Sequence, residues 1–141
     1  MPISVFEHFI TVSSSDIDEN QHANNVCYLR WMNEAAIAHS SANGWTAQRY
    51  IELGASWFSR KHIIEYLAPS LEGDKLVVRT GVSDWKGVRS TRNYRFVRIR
   101  DDKVVAVAET LWVFVNLSTG KPTRTPAEVT DAFVVVDPEE I

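Results

Sequence analysis

The chain has 141 residues, 45% of them apolar and 23% charged, with a net charge of −3 and a single cysteine. That bounds it to one ordinary soluble domain with a full core, read here as residues 1–141, and argues against a general nucleic-acid binder. One cysteine excludes a disulfide framework. Apolar runs of at most five residues, such as Val104–Ala108 and Leu111–Val115, exclude a membrane-spanning helix. With no leader visible, the expected compartment is cytoplasmic.

In chain order, Val5–Val12 reads as a first strand, broken at Ser13–Asp16. A polar, turn-rich stretch runs on to Asn25. From Val26 to about Asn43 the pattern is helical, with Asn24 or Asn25 as N-cap and Gly44 as a left-handed stop. This helix is apolar on most faces (Val26, Tyr28, Leu29, Trp31, Met32, Ala35, Ala36, Ile37, Ala38), which predicts that other structure wraps it. A short second helix over Ala47–Leu53 ends at Gly54.

Four strands follow, Trp57–Leu67, Asp74–Trp85, Arg89–Arg100 and Lys103–Val115, the last three joined by hairpin-length connections. Leu76, Val78, Thr80 and Val82 share one face of the second. Lys103–Val115 is apolar on both faces, as a central strand would be. Pro126 opens a short C-terminal helix. The order predicts an α+β protein with one five-stranded antiparallel sheet curled around one long helix, its uncovered surface met by a second copy.

Five of the ten arginines (Arg89, Arg92, Arg95, Arg98, Arg100) fall within twelve residues. They read as a solvated strand edge or as a holder for a small anion. The densest chemistry lies in Ser15–Tyr28, S-D-I-D-E-N-Q-H-A-N-N-V-C-Y. There a carboxylate and an imidazole come close in sequence, just ahead of a helix whose first turn offers unpaired N–H groups at its positive dipole end. Acyl transfer needs that pairing of a base or nucleophile with oxyanion donors. A plain helix-capping loop would use the same residues. No second His or Cys is spaced to complete a metal site with Asp18 and His22. Cys27 packs as a small apolar group, and Glu109 interrupts an otherwise apolar strand.

This segment resembles the signature of hot-dog-fold acyl thioesterases of the 4-hydroxybenzoyl-CoA thioesterase type. The matching residues are Asp16-Ile17-Asp18, His22-Ala23-Asn24-Asn25, Tyr28, Trp31 and Glu34. Asp18, Asn20 and His22 also look like the D-x-N-x-H run of acyl-ACP thioesterases. Downstream, Glu65–Pro69 with Gly73-Asp74, and Val113–Asn116 with Gly120 and Pro126, extend the resemblance over nearly the whole chain. The resemblance implies a hydrolase that cleaves an acyl-CoA thioester to free acid and coenzyme A. Asp18 would be the catalytic carboxylate and the N–H near Asn25 the oxyanion donor, with His22 and Asn20 orienting the carboxylate or water. The later-strand Glu-Cys pair of the acyl-ACP relatives is missing here.

Tyr28, Lys86, Arg89 and Arg124 would bind substrate, the basic residues meeting the phosphates of coenzyme A. Asp16 would support the loop. Trp31, Ala35, Trp57, Phe58 and Trp112 would line the acyl tunnel. No metal or separate cofactor is implied, since coenzyme A enters as part of the substrate. The implied assembly is a homodimer paired into a tetramer, with no nucleic acid or membrane partner. An acyl-ACP thioesterase and a non-catalytic acyl-CoA-binding protein are the alternatives.

Overall fold

The computed structural model describes residues 2–141. Strand β1 (Phe6–Thr11) leads through a 3-10 turn at Ser14–Asp16 to helix α1 (Asn25–Ala42), then to α2 (Ala47–Leu53). Strands β2 (Ala55–Tyr66), β3 (Lys75–Lys86), β4 (Arg89–Arg98) and β5 (Lys103–Asn116) follow, with a one-turn helix α3 (Ala127–Thr130) near the end. The order across the sheet is β1-β3-β4-β5-β2, every pair antiparallel. The middle strand is therefore β4. β5 lies one place from the edge, so its two-sided apolarity marked an interior strand but not the centre.

Helix α1 starts where the Asn24 side chain accepts the Val26 N–H at 3.0 Å, and stops at Gly44, whose φ of 92° suits glycine. Its buried stripe, Cys27, Tyr28, Trp31, Met32, Ala35, Ala36 and His39, repeats every three to four residues. That stripe meets Leu76, Val78, Tyr94, Phe96, Ala106 and Ala108 from the concave face of the sheet. The wrapping is one-sided. Val26 and Ile37 stand 73% and 62% exposed on the other side of α1, so one copy of the sheet does not enclose the helix as its composition suggested.

The convex face carries the C-terminal tail. Val135 bridges to Val82, and Ile141 is buried. Gly81 permits this crossing, since a Cβ there would stand 2.9 Å from Val136 Cγ2 and 3.0 Å from the Ser4 carbonyl. Glu109 faces the same convex side, between Ile63 and Asn93, with the sheet separating it from α1.

Candidate functional site

The polar loop before α1 is a built turn. Ile17 and Ala23 bridge, the Asp18 N–H donates to the His22 carbonyl at 3.0 Å, and Gln21 takes a left-handed φ of 65°. Ala23 is tied to the Ser70 carbonyl at 2.8 Å, which fixes the loop against the strand connections. Within this turn the two aspartates have different surroundings. Asp16 is buried and accepts from Arg30 at 2.7 Å and from the Ser13 N–H and hydroxyl at 2.9 and 3.0 Å. Burial works against its ionisation, but the Arg30 and Ser13 hydrogen bonds outweigh it and hold the carboxyl below the usual range. Asp18 is half-buried and accepts only the Asn20 N–H, at 2.9 Å, which leaves lone pairs open toward solvent.

Asn25 begins α1 exposed, and its N–H has no acceptor among the described residues. An open carboxylate and an open helix-N-terminal donor thus share one short loop. His22 and Asn20 are exposed, and no hydrogen bond joins the side chains of His22 and Asp18; their link is through the backbone. Tyr28 lies in the core, 2% exposed, its hydroxyl 3.0 Å from Ser70 Oγ. Cys27 is buried, and burial together with Asp16 raises its thiol pKa, which removes thiolate character.

Lys86 and Arg89 face each other, exposed, across the β3–β4 hairpin. Arg124 is exposed beside them, because Thr125 donates to the Gly87 carbonyl at 3.3 Å. The three basic residues predicted to meet phosphates therefore gather at one corner, far from Asp18. The Asp18 loop lies by the start of β3, the basic corner lies at its end, and twelve extended residues separate them by roughly 35 Å.

At the basic end, between the C-terminal half of α1, α2 and the sheet, is a cavity of about 310 Å³. Trp45, Trp57, Trp85 and Trp112 form much of its wall, and Arg92 lies at its floor. Of the expected tunnel residues, Trp57 and Trp112 line it. Trp31 and Ala35 belong to the central core, and Phe58 is exposed.

Arg92 corrects the reading of the arginine cluster as a strand edge. β4 is the middle strand, so alternate residues turn inward, and Arg92 and Arg98 are buried on the face shared with Tyr94 and Phe96. Arg92 Nη1 donates to His39 Nδ1 at 2.9 Å and to Thr80 Oγ1 at 3.1 Å. Because His39 Nε2 lies 2.6 Å from the Ile3 carbonyl, which only accepts, the ring carries its proton on Nε2 and takes the Arg92 proton on Nδ1. Burial and the neighbouring guanidinium push His39 down to about 4. Burial lowers the pKa of Arg92 as well, yet a guanidinium keeps its proton in proteins. The signal was available in sequence: a period of two through T-R-N-Y-R-F places Arg92 on the same face as Tyr94 and Phe96.

A family model for the thioesterase-like superfamily matches residues 12–133. A sequence search of curated proteins finds no match. Among solved structures, a 1,4-dihydroxy-2-naphthoyl-CoA thioesterase from Synechocystis superposes with a TM-score of 0.84 at 22% identity, over 92% of this chain and 95% of that one. A Staphylococcus aureus protein in complex with CoA gives 0.86 at 20%, over 94% and 83%. An acyl-ACP thioesterase from Bacteroides thetaiotaomicron gives 0.85 at 20%, over 95% of this chain and 54% of that one. The fold is the hot-dog fold expected from the sequence. The chain belongs to the thioesterase-like superfamily.

Proposed function

We propose that this member of the thioesterase-like superfamily is an acyl-CoA thioesterase, a single hot-dog domain working as a homodimer, in which Asp18 is the catalytic carboxylate. The observation that carries the reading is the open Asp18 carboxylate in the same loop as the unpaired Asn25 N–H. Asp18 attacks the thioester carbonyl itself or takes a proton from the water that does. The carbonyl oxygen, gaining negative charge, lies against the Asn25 N–H. When water attacks, the C–S bond breaks, the sulfur takes the proton that Asp18 removed from the water and leaves as the thiol of coenzyme A, and the free acid is the other product. When Asp18 attacks, the thiolate leaves and takes a proton from solvent, and water then hydrolyses the Asp18–acyl anhydride to the free acid and restores the carboxylate. His22 and Asn20, exposed on the same turn, order the attacking water.

The second copy is argued from β2. It is a twelve-residue edge strand, with Phe58, Ile63 and Tyr66 exposed along it. Its Ala55 end borders the cavity through Ser56 and Trp57, and its Tyr66 end touches the loop, where the Tyr66 hydroxyl donates to the Asn25 carbonyl at 3.3 Å. Two-fold antiparallel pairing of β2 with its copy brings the Asp18 loop of each subunit to the cavity end of the other. That closes the roughly 35 Å separation between Asp18 and the basic corner of Lys86, Arg89 and Arg124, which would hold the phosphates of the coenzyme.

The test is thiol release from a panel of acyl-CoA esters by wild type and Asp18→Asn. The reading expects turnover in the wild type and a loss of roughly 10³-fold in kcat in the variant, with an unchanged melting temperature. Full activity in the variant removes Asp18 from the chemistry. Release from carrier-protein thioesters alone would make the substrate acyl-ACP, and tight acyl-CoA binding with no thiol release would make the protein a binder.

A further inference from the structure

The cavity beneath the tryptophans holds a group that the proposed hydrolysis leaves unused. Arg92 is 5% exposed, and its only acceptors are neutral ones, His39 Nδ1 and Thr80 Oγ1, both reached from Nη1. A guanidinium carries five N–H donors, so three of them are without a protein acceptor among the described residues. No carboxylate pairs with it either. The described ion pairs of this chain use Arg30, Arg79, Arg98, Arg100 and His8. The hydroxyl of Tyr94, next but one on the same face of β4, is buried with no hydrogen-bond partner.

A buried charge without a counter-charge is costly, and folds that keep one generally use it. His39 cannot supply the missing negative charge: its ring is neutral between the Ile3 carbonyl and Arg92, and its protonated form would be a second cation. The cavity above Arg92 has about 310 Å³, about twice the ~150 Å³ that admits a benzene molecule. Its walls are Trp45, Trp57, Trp85, Trp112, Tyr50 and Phe133, flat apolar surfaces suited to a ring or a short chain.

We propose that this cavity is the acyl pocket, and that Arg92 at its floor receives a carboxylate at the far end of the acyl group, so that the preferred substrate is the mono-thioester of a dicarboxylic acid. This specificity rests on the thioesterase reading, while the affinity of the cavity for a carboxylate does not. The fork of N–H groups takes the two oxygens of a planar carboxylate, and the aromatic walls strengthen that pairing by excluding water. An acyl group ending in a methyl would leave the guanidinium buried and unpaired, which is the basis of discrimination.

The experiment compares thioesters matched in shape and differing in charge at the tip: 4-carboxybenzoyl-CoA with 4-methylbenzoyl-CoA, and glutaryl-CoA with pentanoyl-CoA. In at least one pair the carboxylate-tipped member is expected to have a kcat/KM about 30-fold higher or more. Arg92→Gln should bring that ratio to near one, and Arg92→Lys should retain part of it. A wild-type ratio at or below one in both pairs overturns the proposal. So does an Arg92→Gln variant, folded by its melting curve, that keeps the ratio.

Binding is read separately through the tryptophan fluorescence of the wild-type protein, titrated with 4-methylbenzoate and with the neutral 4-methylbenzamide of the same shape. Tighter binding of the carboxylate supports the site even where no thioester is cleaved, a result that would remove only the thioesterase reading. Equal or weaker binding of the carboxylate removes the carboxylate site whatever the hydrolysis assay shows.

Discussion

The concave face of β4 buries an arginine near each end of α1, and the two are solved differently. Arg98, at the loop end, forks onto Asp101 with contacts of 2.9 and 2.6 Å and donates to the Pro69 carbonyl at 2.7 Å. Its charge is met and three of its five donors are used, one from each nitrogen, so it braces the β4–β5 turn against the β2–β3 connection. Arg92, at the cavity end, meets only neutral acceptors and faces open space. The same residue type on the same strand face is a structural tie where a carboxylate was built in, and a waiting site where none was.

The aspartates before α1 repeat this contrast over two residues. Asp16 is spent on Arg30 and Ser13, whereas Asp18 gives up one lone pair and keeps the rest. The spent carboxylate holds the loop and the open one is free to react. The largest effect expected from breaking this comparison is the roughly 10³-fold loss of kcat in Asp18→Asn. Asp16→Asn should instead lower the melting temperature with a much smaller change in kcat.

The two ends should also titrate apart. His39 is held near 4 in the folded protein, against 6.5 when free, so it binds its proton more weakly folded than unfolded. Stability from that neutral ring is complete above pH 6.5 and is lost as pH falls toward 4, a decline of roughly 3 kcal/mol. At the loop end, the lowered carboxyls of Asp16 and Asp74, together with Asp101 at about 2, contribute stability that is full above their free value of 3.8 and is lost below it. Urea unfolding from pH 8 to 3 should therefore show two descents, and His39→Gln should flatten the first while leaving the second. A single descent below pH 4 in the wild type would mean that His39 is not buried as described.

Smaller in size is the response to removing each buried charge. Arg98→Met strands the Pro69 carbonyl and the Asp101 carboxylate and should cost about 2 kcal/mol, read from urea midpoints. Arg92→Met removes an unpaired buried charge but strands the buried His39 Nδ1, so the two effects oppose and stability should change by less than about 1 kcal/mol. The smallest effect is expected at the exposed corner. Lys86→Ala, Arg89→Ala or Arg124→Ala should raise KM for acyl-CoA about threefold each, less at high salt, with kcat nearly unchanged.

Much of the architecture was legible because it rests on local rules. The cap at Asn24, the stops at Gly44 and Gly54, and the short β3–β4 and β4–β5 connections place elements within a residue or two of where they stand. The order of strands across the sheet was not legible, since pairing is decided between residues far apart in sequence. Which of the two readings of the arginine cluster holds was not legible either, since it depends on what covers each face of β4: Arg92 and Arg98 turn inward, whereas Arg95 turns to the convex side. The loop was legible as chemistry through its residue types. The division of labour between Asp16 and Asp18 was not, for it depends on Arg30, in the second turn of α1, reaching back 2.7 Å to one carboxylate and leaving the other open.

The bare edge of β2 carries a genetic consequence. If each active centre takes Asp18 from one copy and the Arg92 pocket from the other, lesions at these residues belong to different complementation groups within one gene. Asp18→Asn dimers and Arg92→Gln dimers, unfolded together and refolded as hybrids, would place both lesions in one centre and neither in the other. Two preparations each defective toward the carboxylate-tipped ester would then recover activity on mixing, and a protein whose centres lay within single subunits would not.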